Sequence, residues 1–323
     1  MKFILPFNHK AASFKISFDD SFLSIGSCFS THLSSYLKSN KFSVFDNPMG
    51  IMYNPLSIIY CLKHALMGTV KEELIIERDG VFYYYHAHSM INARSKAELK
   101  KILEEINQTT LSKLKSVNYL VITWGTAYSF VHNSFSETVA NCHKMPSMLF
   151  SKTIIDAETI VLETQRLLEE LHSINPNVKI ILSVSPVRHT KLGLSENTIG
   201  KAELIKASLA LSKTSDKIHY FESYELVTDV LRDYRFFDAD MVHPNEQTVD
   251  YVLDNFKDVF FNSELKTFIT EWEQIKLGLQ HRPFNPSSQN HQTFLINLRN
   301  RILNLDKSGN FDEELASINR MID

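Results

Sequence analysis

Phe22-Leu23-Ser24-Ile25-Gly26-Ser27-Cys28-Phe29-Ser30 decides how the rest of the chain is read. A short apolar run stops at a glycine, and two small nucleophilic side chains follow. A buried strand ending in a sharp turn presents such side chains at the carboxyl edge of a parallel sheet. Gly26 takes backbone angles that a residue with a Cβ resists. Ser27 or Cys28 then stands where the first amides of a helix favour negative charge. Thr31-His32-Leu33-Ser34-Ser35-Tyr36-Leu37 has apolar residues at helical spacing, so the spacing predicts a helix from the turn onward.

The same alternation continues outward. Phe42–Phe45 reads as a second short strand, followed by a turn-rich loop over Asp46–Pro55 that contains Gly50. Asn54 caps a helix that Pro55 opens. Asp79-Gly80 between β-rich arms predicts a hairpin, an insertion over residues 73–90. His86 and His88 are expected on one face of a strand, in packing or polar roles, since no acidic or cysteine partner sits beside them to complete a metal set. Ser95–Leu114 is an amphipathic helix, Tyr119–Thr123 a central strand and Phe130–Met148 a long polar loop. Ala157–Ile174 is a helix, Val178–Val187 a strand, Ile199–Lys213 a helix and Ile218–Phe221 a last strand. Such a pattern predicts a three-layer α/β/α sandwich with a mostly parallel sheet. Residues 1–260 form this domain, and residues 261–323 are expected as a helical extension packed on the core.

Composition sets the class. The 323 residues are 44% hydrophobic and 22% charged, with net charge −3. That provides for a sizeable core and lacks the basic balance of a nucleic-acid binder. Three scattered cysteines, Cys28, Cys61 and Cys142, give neither a disulfide framework nor a zinc motif. No cofactor fingerprint is read. The opening apolar residues Met1–Leu5 turn polar at Asn8-His9-Lys10, too soon for a signal peptide, and no run is long enough to span a membrane. The expectation is a cytoplasmic protein with no membrane partner.

Asp240 and His243, two residues apart and followed by Pro244, supply the other half of a chemistry. The carboxylate at this spacing reaches the imidazole and holds Nδ1–H, leaving Nε2 to accept a proton. The nucleophile turn, the Gly50 loop, Gly125-Thr126 and Asp240–His243 each follow a strand. In a parallel sheet all four lie at the edge where ligands bind.

With this order in view, the chain resembles the GSCFA domain family, a bacterial branch of the SGNH/GDSL hydrolase superfamily. Gly26-Ser27-Cys28-Phe29-Ser30 matches the motif Gly-Ser-Cys-Phe-Ala except at Ser30. Asn47-Pro48-Met49-Gly50 with Tyr53-Asn54-Pro55 resembles the second signature, and Gly125-Thr126-Ala127 with Asn141-Cys142-His143-Lys144 the third. Ser185–His189 with Asn197 and Lys201, then Tyr224-Glu225, Arg232–Phe236 and Asp240–Pro244, resemble the rest. The family has no defined activity, so its resemblance implies the fold, and the wider superfamily's motif positions imply acyl-ester chemistry. Aligned on the strand and its glycine, Cys28 falls at the superfamily's nucleophilic serine and Ser27 beside it. His243 is then general base and acid, oriented by Asp240. The superfamily's third motif carries an asparagine that donates to the oxyanion, and here Ala127 takes its place. Backbone amides of Cys28 and Gly50 would form the oxyanion hole, with Thr126 or Asn141 as side-chain donor. His143 and His189, with Asn141, are expected to line the substrate site. The implied substrate is a small-molecule or glycan acyl ester. An acyltransferase with the same intermediate, or a silent binding domain, are the alternatives.

Overall fold

A computed structural model describes residues 6–305 and 311–322. Met1–Leu5, read above for a leader, lie outside the described residues. Five parallel strands make the central sheet: β1 (Ser21–Gly26), β2 (Ser43–Asp46), β6 (Tyr119–Trp124), β10 (Lys179–Val184) and β11 (Ile218–Phe221). Three more, β3 (Ile75–Arg78), β4 (Val81–Tyr84) and β5 (Asn92–Ala93), form a small antiparallel sheet around the expected hairpin. The central strands lie in the order β11-β10-β6-β1-β2. The connection therefore reverses direction between β1 and β6, and a doubly wound sheet binds ligands at such a switch point.

Alternation along each strand builds two cores. Leu23, Ile25, Leu120, Ile122, Ile180 and Leu182 face one way. They meet α2 (Pro55–Met67), α3 (Lys96–Leu114), α4 (Ala157–Ile174) and α5 (Leu194–Leu211) through residues such as Ile58, Leu99, Leu167 and Leu204. Phe22, Tyr119, Val121 and Ile181 face the other way. There they meet α1 (Cys28–Ser39) and α7 (Glu246–Phe260) through Leu33, Leu37, Val252 and Phe256. Each fully buried side chain of this kind contributes roughly 1.5–3 kcal/mol. One helical turn, α6 (Ser223–Glu225), runs on into a π-helical turn over Leu226–Leu231. The result is the three-layer sandwich that the alternation predicted.

The carboxyl-terminal part is helical, as expected: α8 (Ser263–Gln280), α9 (Gln289–Asn304) and α10 (Asp312–Ile322). Leu265 and Ile269 of α8 join the second core, while Trp272, Ile275, Leu298 and Ile318 build a third. No described helix is long and apolar enough to cross a membrane.

Two expectations are corrected. Phe130–Met148 is not one polar loop: β7 (Tyr128–His132) pairs with β8 (Glu137–Val139) and β9 (Phe150–Ile154) in a second antiparallel sheet. The outer strand β9 runs Ser151-Lys152-Thr153 between Phe150 and Ile154 and stays largely exposed, so its sequence lacks an apolar stripe. Nor do His86 and His88 share a strand, because the chain turns after Tyr84. His86 is buried against Tyr60, Tyr84 and His64, and neither ring nitrogen has a hydrogen-bond partner among the described residues. Glu137 stands 3.8 Å from its Nε2, but that carboxylate already pairs with Lys71.

Burial lowers the pKa of His86 from 6.5 to about 3, with His64 adding to the effect. Below pH 6.5 the unfolded chain takes up a proton that the folded chain refuses until about pH 3, so stability falls with pH across that window. His86 should account for about 2–3 kcal/mol of the loss between pH 7 and pH 4.5. Urea unfolding at both pH values checks this. His86→Leu should lose correspondingly less stability on acidification than the wild type.

Candidate active site at the carboxyl edge of the sheet

The site begins at the end of β1. Gly26 has φ 147°, and a Cβ placed there would sit 2.1 Å from the Thr123 carbonyl oxygen of β6. Only glycine allows this approach. The next residue locks it, since Ser27 N–H donates to the same carbonyl at 3.0 Å. Asn47 receives the Gly26 N–H at 2.9 Å, and the Gly26 carbonyl accepts from Met52 N–H at 3.0 Å. Helix α1 starts directly afterwards, with Ser27 as its cap position and Cys28 as its first residue.

This local structure separates the two candidate nucleophiles. Ser27 is 1% exposed, and its buried Oγ has no partner among the described residues. Cys28 is partly exposed and lines a cleft of about 560 Å³. The Cys28 amide is one of those that a helix leaves without an intrahelical acceptor, so it is free to bind an anion.

Asp240 and His243 line the same cleft. A tight loop carries them. Asp238 N–H donates to the His243 carbonyl at 2.8 Å, and Met241 turns through a left-handed conformation at φ 60°. Asp240 Oδ1 accepts from the backbone N–H of Val242 at 2.8 Å and of His243 at 3.0 Å. Its Oδ2 accepts from His243 Nδ1 at 2.6 Å. These bonds, the backbone one to His243 foremost, hold the Asp240 carboxyl down at about 2. It therefore stays ionised and fixes the ring with Nδ1 protonated and the Nε2 lone pair free.

Tyr53, His189 and Thr126 complete the floor and walls. The Tyr53 carbonyl accepts from both Gly125 N–H at 2.7 Å and Thr126 N–H at 3.0 Å, while its hydroxyl lies 3.8 Å from Cys28 Sγ. Burial first, and then Cys28, push this hydroxyl up to about 12, so it remains a donor. His189 packs edge-on against the Tyr53 ring, and burial pulls its imidazole down to about 4, which keeps it neutral near pH 7. Thr126 Oγ1 accepts from Tyr128 N–H at 3.1 Å and keeps its own proton to donate. Behind this wall Lys201, buried in α5, donates to the Gly125 and Ser185 carbonyls, each at 2.6 Å. It ties the ends of β6 and β10 together. Burial draws its amine down to about 7.

Three expected site residues lie elsewhere. Gly50 N–H is spent on the Asn47 carbonyl at 2.8 Å, and the Gly50 Cα faces His88, so this amide has no proton for an oxyanion. Asn141 Oδ1 accepts from His143 N–H, and its Nδ2 donates to Ser89. His143 closes the chain: Nε2 donates to the Tyr84 carbonyl at 2.8 Å, and Nδ1 accepts from the Ser89 hydroxyl at 3.2 Å. Both side chains pin the segment to the hairpin and are absent from the cleft lining. Ala127 is fully buried and equally remote from any donor role.

In the sequence Tyr53 and Lys201 stand only inside motifs, with no role of their own. A tyrosine just before a helix cap and a lysine in a helix carry no mark of burial, so no local signal was available. Fold and site together define a doubly wound α/β protein with a thiol, a neutral histidine and an Asp–His pair at one sheet edge. The chain belongs to the GSCFA family, whose family model matches residues 21–256. The GSCFA domain protein C-terminal domain matches residues 272–323. No curated protein sequence matches it.

Gly26→Ala should be far more costly than Gly68→Ala. Both glycines have positive φ, but a Cβ at Gly68 meets nothing within 4 Å. Gly68→Ala should cost about 1–2 kcal/mol for the left-handed backbone alone. Gly26→Ala should add at least about 3 kcal/mol from the forced separation of β1 and β6. Urea midpoints of the two variants give the comparison, and equal losses would refute the close-approach role.

Proposed function

We propose that the protein is an acyl-ester hydrolase working through Cys28. The observation that carries this reading is one cleft lined by a helix-start thiol and by an imidazole whose Nδ1–H is held 2.6 Å from Asp240. A binding surface has no need of that second bond. Cys28 Sγ attacks the acyl carbon while its proton passes to His243 Nε2. The carbonyl oxygen becomes an oxyanion, with the Cys28 amide, Tyr53 hydroxyl and Thr126 hydroxyl as donors. Collapse breaks the bond to the alcohol oxygen, which takes the proton from His243. Water then attacks the thioester, gives one proton to His243, and the acid leaves as Cys28 recovers its proton.

Hydrolysis is favoured over transfer to another acceptor by the exposure of the pair: the His243 side chain is 46% and the Asp240 side chain 50% exposed. Water reaches the base without a closing step. Membership of the superfamily whose motifs the chain resembles fits this chemistry and is part of the same proposal.

Incubation with p-nitrophenyl acetate, acid quench and intact-mass analysis should reveal one added acetyl group, mapped to the peptide holding Cys28. Asp240→Asn should stay folded and lose about a hundredfold or more in kcat, because the ring loses its fixed tautomer. Acetyl on Ser27, or a fully active Cys28→Ala, would sink the assignment.

A further inference from the structure

We infer that the cleft beside Cys28 holds an acyl subsite for an apolar chain longer than acetyl, with β7 and β8 as its wall. This rests on the acyl chemistry proposed above and adds the class of substrate. The register of the second antiparallel sheet puts Phe130 directly opposite Val139. Tyr128, two residues earlier on the same strand, shares the face of Phe130. All three line the cleft. Phe130 is 38% exposed, so its ring offers apolar surface that no core contact consumes. Val187, Leu192 and Val242 supply apolar surface from other loops around the same space.

Several polar groups of the cleft are already engaged. Asn54 has both ends of its amide engaged by Ser57. Both Asp240 oxygens are occupied by His243 and Val242. Thr126 Oγ1 already accepts a bond. Unspent polar capacity remains on one loop, at Arg188, His189 Nε2 and Lys191, whereas a sugar ring lying against Phe130 and Val139 would leave hydroxyls without partners, and each unpaired hydroxyl costs free energy. A hydrocarbon chain makes no such demand. The volume of about 560 Å³ falls in the range that encloses a drug-sized ligand and exceeds what acetyl fills.

Two measurements test this separately from the reaction itself. The first is kcat/KM for p-nitrophenyl acetate, butyrate, hexanoate and octanoate. It should rise by about fourfold per added methylene over the first steps, the gain for burying each one. Phe130→Ala should narrow the octanoate-to-acetate ratio by about tenfold, as expected for a lost aromatic wall. Leu192→Asp, which faces the same space from a partly exposed position, should narrow it as well. A ratio that is flat or falls with length would overturn the subsite. The second is calorimetric titration of sodium octanoate into Cys28→Ala. Saturable binding, weakened by either wall substitution, supports the subsite even if the wild type hydrolyses none of these esters; in that event the reaction falls and the subsite stands. Turnover of acetate with no octanoate binding and no chain-length gain overturns the subsite and leaves the reaction standing. Faster turnover of an O-acetylated sugar than of any longer p-nitrophenyl ester also overturns it.

Discussion

The contact of Gly26 with Thr123 sets everything at this sheet edge. Two strands approach until there is no room for a Cβ, and one carbonyl then receives the amide of Ser27. The extended Ser27 backbone that follows starts α1 at once, so Cys28 emerges at the switch point of the sheet. From there the constraint spreads sideways. The Gly26 carbonyl holds Met52, and the neighbouring Tyr53 carbonyl holds Gly125 and Thr126. Lys201 then fastens Gly125 to Ser185 on the next strand. The ends of three strands and the Met52–Tyr53 loop are thereby held together by backbone bonds and one buried lysine rather than by exposed side chains, which makes this edge rigid.

The far end of α1 is anchored just as firmly. Trp272 Nε1 donates to the Ser39 carbonyl at 2.8 Å, Lys276 reaches Asn40, and Lys41 pairs with Glu314 at 2.6 Å. Helix α1 therefore runs from the cleft to the carboxyl-terminal helices. Its apolar face is buried along the way at Leu33 and Leu37. The carboxyl-terminal region thus supports α1 at the end where its own carbonyls need partners.

Much of this was legible in the sequence, for identifiable reasons. Buried parallel strands such as Tyr119–Trp124 are continuous apolar runs, and capped helices announce themselves at Asn54 and Ser95. Asp240 and His243 are close in sequence, so their bond followed from spacing alone. What stayed hidden depends on distant partners. The β7–β9 sheet is built of short strands, of which β9 is polar and exposed, so the segment reads as a loop. Asn141 and His143 look like site residues because polar clusters attract that reading, yet their bonds close on Ser89 and Tyr84, more than fifty residues away. The Gly50 amide was lost to a turn within its own loop. Tyr53 and Lys201 gained their importance only from where β6, β10 and α1 place them.

The central claim is that Cys28 and His243 work as one unit, and the reactivity of the thiol tests it most directly. Burial pushes the Cys61 and Cys142 thiols up to about 12 and about 11, so neither competes near neutral pH. Iodoacetamide should alkylate Cys28 first, and His243→Asn should slow that alkylation by about tenfold or more as the thiol loses its proton acceptor. Peptide mapping after timed quenching gives both rates. A Cys28 that reacts no faster than an ordinary cysteine, and at the same rate in His243→Asn, would contradict the claim.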